Sequence, residues 1–350
     1  MDTDQKHSFI DITDNESRLI NDQANCLYTK LLSFQINDTD IDDFGKYYFT
    51  NHHSGNRLFF SIKSSADIIY NAIKKTNKLI KDITLIDYGA GLGTLFLLAG
   101  SVGFKKVYFN DYFSQWAAYA KIVCSKLDIS ITDYIVGDID AVINYGKAND
   151  IHFDILATRN VVEHIYKLRN FYSKLYQADI TSVCYATTTA NYYNIAMRLK
   201  HYWHHYQVEK KYYKKQRADY IKELVPSIND ENLHQLVKLT RGRAFADFTL
   251  AVNCYFKKEP IPEVEFLGTN TCDCKTGVWA ENLITGKNYT DIIQTAGFTF
   301  EYTAGFCDTH YKYSIVNFIA RILNRLIKIS GKKGYWFAPF VNIIAVKNNG

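Results

Sequence analysis

Residues 85–94 read LIDYGAGLGT, an apolar run that stops at an acid and breaks into glycines at two-residue intervals, Gly89, Gly91 and Gly93. A short apolar run ahead of a glycine turn reads as a buried strand feeding a helix, here TLFLLAG. Glycine lets such a turn bend tightly and brings the backbone within van der Waals reach of a ligand. The pattern then recurs. ITLIDY (83–88), KVYFND (106–111), YIVGD (134–138), FDILAT (153–158) and SVCYAT (182–187) alternate with stretches of helical spacing such as SQWAAYAKIVCSKL and VVEHIYKLRNFYSKLY. Strand–helix alternation with short links predicts a parallel sheet covered by helices on both faces. Ligands of such sheets bind at the carboxyl ends of strands, near the point where strand order reverses. Asp87, Asp111, Asp138 and Asn160 stand at those ends.

The flanks read differently. Residues 1–80 form a mainly helical N-terminal cap that includes SSADIIYNAIKKTNKLI, ahead of a core at 81–190. After about residue 190 a polar, aromatic and basic insertion runs to 290, opening with NYYNIAMRLKHYWHHYQVEKKYYKKQR as one long helix. Residues 291–350 supply two last strands, GFTFEYTAGF (297–306) and APFVNIIAVK (338–347), around a helix at about 314–329. In that helix Ile315, Phe318, Ile319, Ile322, Leu326 and Ile329 form an apolar stripe, and Arg321, Arg325 and Lys328 line another face. Two readings stay open for 314–333: a helix packed on the core with a solvated basic face, or one lying on an anionic membrane.

The chain has 350 residues, 47% hydrophobic and 15% aromatic, enough for a large core. No apolar run reaches the roughly 18–20 residues of a membrane span. The N-terminus lacks the basic start and apolar core of a secretory signal, and seven scattered cysteines do not make a disulfide framework. A cytoplasmic protein is expected. The net charge of +5 is uneven: residues 1–45 carry ten acids against three bases, while Lys312 to Gly350 contains no acid.

The glycines choose between cofactors. The dinucleotide fingerprint G-x-G-x-x-G fails, because Thr94 stands at its third glycine, and no phosphate-binding lysine follows. The spacing Asp87-x-Gly89-x-Gly91-x-Gly93 resembles motif I of the class I S-adenosylmethionine-dependent methyltransferases, of the type acting on small molecules and surface glycans. The resemblance covers 81–190 well and 290–350 loosely. It implies a Rossmann-like α/β fold with a seven-stranded, mostly parallel sheet and an antiparallel last strand. It implies S-adenosylmethionine lying against Asp87, Gly89, Ala90, Gly91, Gly93 and Thr94. Asp111, eighteen residues past Gly93, would accept from both ribose hydroxyls, with Tyr112 next to it. Asp138 and the Ile139 amide would meet adenine. Asn160 and Val161, in RNVVEHI (159–165), would pass beside the sulfonium.

Methyl transfer to a hydroxyl needs in-line positioning and a base. An imidazole titrates near neutrality, and His164, four residues beyond Asn160 on an expected helix, is the leading base. Glu163 would tune it, and His53 is the next choice. Arg159 would hold an anionic acceptor. NHHSGNR (51–57) is expected to fold over the cofactor, bringing His52, His53 and Arg57 to the site. HYWHHY (201–206) offers His201, Trp203, His204 and His205 as acceptor contacts, without an acidic third ligand for a metal. Cys272 and Cys274 lack a second pair, so no metal is expected.

No [DN]-P-P-[YF] motif, Pro-Cys nucleophile or RNA-binding module is present, which disfavours nucleic acid as acceptor or partner. The reading is O-methylation of a sugar-like or other small anionic acceptor, a bacterial glycan or lipid-linked precursor or specialised metabolite. N- or C-methylation of a metabolite or quinone-like ring is the alternative enzyme. A scaffold that binds the cofactor without turnover and regulates a partner is the alternative outside enzymes.

Overall fold

The computed structural model describes residues 7–347. Three helices come first: α1 (Asn15–Ser33), α2 (Asp43–His53) and α3 (Asn56–Thr76). Asp14 caps α1, accepting from the Ser17 amide at 2.7 Å while the Ser17 hydroxyl accepts from the Asp14 amide at 3.0 Å. The alternating core follows as β1 (Thr84–Tyr88), α4 (Leu95–Val102), β2 (Lys106–Asp111), α5 (Ser114–Leu127), β3 (Asp133–Val136), α6 (Ile139–Ala148), β4 (Phe153–Arg159), α7 (Leu168–Ala178) and β5 (Thr181–Thr188). Helices α8 (Ile195–Val208), α9 (Lys214–Leu224), α10 (Asp230–Leu239), α11 (Phe245–Lys257) and α12 (Gly286–Ala296) intervene before β6 (Thr299–Ala304). The chain ends with α13 (Ser314–Ile329) and β7 (Val341–Val346).

All seven expected strands are present in one sheet, ordered β3-β2-β1-β4-β5-β7-β6. Strands β1 to β5 run parallel. Strand β7 lies antiparallel between β5 and β6, with Ile343 opposite Ala186 on one side and Tyr302 on the other. This is the sheet that the resemblance implies. Side chains alternate across it with period two, and both faces are buried. Leu85, Phe109 and Ile155 pack beneath α1, α3, α4 and α5 with Leu27, Ile62, Phe96 and Val123. Ile86, Tyr108 and Leu156 pack on the opposite face with Val142, Phe171, Leu175 and Ile292 of α6, α7 and α12. Because α12 covers the sheet, the expected boundary at 290 falls inside a core helix.

The chain leaves β1 for β2 and β3, then returns to β4 on the other side. The β1/β4 junction is therefore the switch point where α/β sheets bind ligands.

Two local expectations are corrected, and one open reading is narrowed. The helix expected across 161–176 begins only at Leu168, because Asn160 adopts φ 56° and 162–164 form a single 3₁₀ turn. The long helix after 190 runs from 195 to 224 but contains a π turn at Glu209–Tyr213. There the Glu209 carboxylate pairs with Arg217 and accepts from Thr271 at 2.7 Å. The apolar stripe of α13 does not pack on the core. Ala320 is the buried residue, with Leu323, Asn324 and Ile327 half-buried beside it, whereas Ile315, Phe318 and Ile329 are 64%, 56% and 82% exposed. At about 100° per residue these two sets occupy different sides of the helix.

Candidate active site

A cavity of about 650 Å³ opens at the switch point. Its floor is the end of β1 and the glycine loop (Asp87, Gly89, Ala90, Gly93), and one wall is the end of β4 (Arg159, Asn160, His164). Tyr48, His52, His53 and Arg57 close it from the N-terminal side, joined by Met197, Lys200, Glu281, Asp308 and Phe340.

The loop geometry explains its glycines. Gly89 and Gly91 have φ 68° and 51°, in the left-handed region that glycine enters freely. A Cβ on Gly89 would lie 2.7 Å from a Val161 methyl, so glycine is needed there for close packing of the loop on the β4 end. A Cβ on Gly91 would find only the Tyr48 hydroxyl, at 3.6 Å and beyond. Thus α2 lies over the loop, held by the Tyr48 ring against Trp116 of α5 at 4.8 Å.

The acids at the strand ends divide in role. Asp87 accepts from the Phe96 amide at 2.9 Å, tying strand to helix N-terminus, and burial pushes its carboxyl up to about 8 despite Arg159 nearby. Asp111 accepts from the Gly91 amide at 2.9 Å and the Phe113 amide at 3.1 Å, and burial pushes its pKa upward. Asp138 is exposed and caps α6 through the Asp140 and Ala141 amides, with Ile139 buried behind it. Tyr112 is 60% exposed, its ring edge-on to Phe113. Asp111, Tyr112, Asp138 and Ile139 therefore form a shelf outside the cavity, at the ends of β2 and β3.

Thr94 and Arg159 hold the fold together. The Thr94 hydroxyl donates to the Ser61 carbonyl at 3.0 Å and meets the Ser61 and Ser65 hydroxyls at 2.9 and 2.8 Å. The Arg159 guanidinium donates to the Ser61 carbonyl at 2.8 Å and to its hydroxyl at 3.1 Å. Thr94 thus anchors α3 and does not line the cavity, while Arg159 does both jobs, anchoring α3 and lining the cavity. His53 bonds the same Ser61 hydroxyl through Nδ1 at 2.9 Å. Burial, with Arg159 and His52 adding to it, holds its imidazole well below the usual range and therefore neutral.

Beyond the end of β4 His164 donates from Nδ1 to the Trp279 carbonyl at 2.7 Å. A carbonyl only accepts, so Nδ1 carries the proton and Nε2 keeps the ring's lone pair. The expected helical phase with Asn160 is absent, yet both residues line the cavity. Glu163, directly before, is 0% exposed, and burial pushes its carboxyl well above the usual range. Neither carboxylate oxygen has a hydrogen-bond partner of normal geometry among the described residues, although the Thr188 hydroxyl lies near enough to favour its charge. The segment 279–282 is laced to this turn: the Trp279 amide donates to the His164 carbonyl at 3.2 Å and the Asn282 amide to the Glu163 carbonyl at 2.9 Å. That lacing delivers Glu281, a cavity residue absent from the sequence-based set, and no local pattern marks it.

The 201–206 cluster behaves otherwise than expected. His201 and His205 are buried and structural: His201 Nε2 meets the Thr189 carbonyl at 3.0 Å, and both nitrogens of His205 are engaged by Thr269 and the Glu281 carbonyl. Burial lowers the His205 pKa to about 4. Trp203 and His204 are exposed and do not line the cavity. Met197 and Lys200, one turn earlier in α8, do.

No family model matches the chain, and no curated protein matches it. Solved structures do. The plantazolicin methyltransferase BamL, in complex with a triazolic desmethylPZN analog and SAH, is similar at 10% identity over 96% of this chain and 100% of that one, with a TM-score of 0.42. The magnesium protoporphyrin IX methyltransferase of Synechocystis with bound SAH is similar at 10% identity over 88% and 96%, TM-score 0.41. An S-adenosylmethionine-dependent methyltransferase from Mesorhizobium loti is similar at 13% identity over 80% and 98%, TM-score 0.39.

Proposed function

We propose that the protein is an S-adenosylmethionine-dependent methyltransferase acting on a hydroxyl of a small, sugar-like, anionic acceptor. One observation carries this reading: the glycine loop and a histidine with a fixed tautomer face one cavity at the switch point. The Arg159 guanidinium faces the carboxylate of the methionyl end, and the ammonium group of that end would draw the Asp87 carboxyl, otherwise protonated near neutrality, into its charged form. The shelf of Asp111, Tyr112, Asp138 and Ile139 takes ribose and adenine. Arg57 and Lys200 give the cavity cations for an acidic group on the acceptor. The acceptor oxygen attacks the methyl carbon, the carbon–sulfur bond breaks with its electron pair passing to sulfur, and the hydroxyl proton leaves to the basic centre formed by His164 with Glu163 and Glu281. Calorimetry with S-adenosylmethionine and its demethylated product tests the first half; absence of saturable binding by either sinks it. Tight product binding without turnover on any hydroxylated anionic acceptor would instead favour the scaffold.

A second reading concerns place. The exposed apolar side of α13 points away from the buried Ala320 side and is flanked by a row of exposed cations, Arg321, Arg325 and Lys328, in a segment free of acids. That arrangement matches an amphipathic helix seated in an anionic bilayer surface, where buried apolar area and charge attraction add. We infer that the enzyme works at such a surface. No described helix is long and apolar enough to cross a membrane. Ile322→Asp should abolish cosedimentation with phosphatidylglycerol vesicles while leaving folding intact. Equal binding to neutral vesicles, or a dimer formed through this face, would overturn the inference.

A further inference from the structure

We propose that Glu163, His164 and Glu281 bind a divalent metal ion at the cavity wall. One ligand atom from each side chain lies within 4.8 Å of the others. Ligand atoms around an ion with bonds of about 2.0–2.2 Å stand about 3–4.4 Å apart, so the trio closes onto an ion by shifts of about half an ångström. No hydrogen bond joins the three side chains to one another among the described residues.

The independent sign is Glu163. Its side chain is fully buried, and both carboxylate oxygens lack a hydrogen-bond partner of normal geometry among the described residues, as does Oε2 of Glu281. A buried carboxylate left this way is costly, and buried charges are ordinarily paired or bound to metal. Both acids could have been relieved by a neighbouring lysine or arginine, but the group beside them is an imidazole. That imidazole is already set as a ligand: the Trp279 carbonyl holds Nδ1–H at 2.7 Å, the outer-sphere arrangement that orients metal-binding histidines. Glu281 comes from a residue with φ 59°, in the left-handed region, on the segment that two backbone hydrogen bonds fix to the 163–164 turn.

One nitrogen and two carboxylates suit zinc, manganese or a similar first-row ion. His164 and Glu281 line the cavity while Glu163 lies behind them, so the remaining coordination positions open toward the acceptor. The inference rests on the methyltransferase reading for what binds there. With the ion bound, its charge would replace the part the His164 lone pair plays in its absence: an acceptor hydroxyl bound to the ion would ionise at neutral pH and pass its proton to water.

The test is Mn²⁺ titration of the chelator-stripped full chain, followed by electron paramagnetic resonance and thermal unfolding. One Mn²⁺ should bind per chain and raise the melting temperature. Glu163→Gln and Glu281→Gln should each weaken binding by about tenfold or more. Stripped Glu163→Gln should melt no lower than stripped wild type, since it loses only an unpaired acid, and this controls for misfolding. Affinity for S-adenosylhomocysteine should not change in either variant. No saturable Mn²⁺ or Zn²⁺ binding to wild type, or undiminished binding in both variants, would overturn the site. Full methyl transfer in excess chelator would also overturn it while leaving the methyltransferase reading intact. Failure to bind S-adenosylhomocysteine would sink that reading with metal binding unaffected.

Discussion

The two sides of the cavity are built by opposite means. The glycine side is local: Asp87 to Thr94 is one turn, and Asp111 reaches back to the Gly91 amide from the neighbouring strand. The histidine side is assembled from afar, with Glu281 brought to Glu163 across 118 residues by backbone hydrogen bonds between two irregular segments. The glycine side has its polar groups satisfied by backbone amides and is ready to hold a ligand. The histidine side keeps a lone pair and three carboxylate oxygens unspent. The proposed function assigns holding to the first side and reacting to the second.

If that division is right, substitutions on the two sides separate turnover from affinity. The largest effect belongs to His164→Ala, which should lower turnover about 10²–10⁴-fold with cofactor affinity unchanged. A comparable loss of cofactor affinity, read by calorimetry, would break the division. Asp111→Ala should cost about 1.5–3 kcal/mol in S-adenosylmethionine binding, from lost charge-assisted hydrogen bonds, with a smaller effect on turnover at saturation. An unchanged dissociation constant in the folded variant would remove the shelf from the cofactor site. Thr94→Val should lower stability by about 1–2 kcal/mol in denaturant, since it strips a buried hydroxyl from Ser61 and Arg159, and should affect the cofactor only indirectly. A stability loss near zero would mean that α3 is held elsewhere. Trp203→Ala, at an exposed position outside the cavity, should stay within about 0.5 kcal/mol and leave turnover alone. A large loss of activity would return the 201–206 cluster to the acceptor site.

How far the site could be read from sequence follows the same division. The glycine spacing, the strand ends and all seven strands were legible because each is a short local pattern. The order of β7 and β6 needed the implied family fold, since no strand states its neighbour. Glu281 was invisible: nothing in WAENL distinguishes it from a solvated acid until 279–282 meets 163–164. His201 and His205 misled for the converse reason, because both rings are buried, with His201 Nε2 on the Thr189 carbonyl and both nitrogens of His205 engaged, and sequence shows neither. Asn160 hid a boundary, since one positive φ ends β4 and delays α7 to Leu168. In α13 the stripe was legible and its partner was not, because amphipathic spacing records an apolar side without recording what covers it.

The position of Tyr48 ties the proposed chemistry to α2. Its ring is clamped by Trp116 and His52, at 4.8 and 4.6 Å, and its hydroxyl roofs Gly91. On the proposed reading, a ligand reaching from Asp111 to the cavity at Gly89 lies beneath that roof, so α2 would have to lift for it to enter. Such a lift would turn at Ser54 and Gly55, between α2 and α3, with Gly55 at φ 55° and α3 fastened below through Ser61. Release of the spent cofactor of the proposed reaction would then be governed by an opening rate, and turnover limited by exchange rather than by methyl transfer.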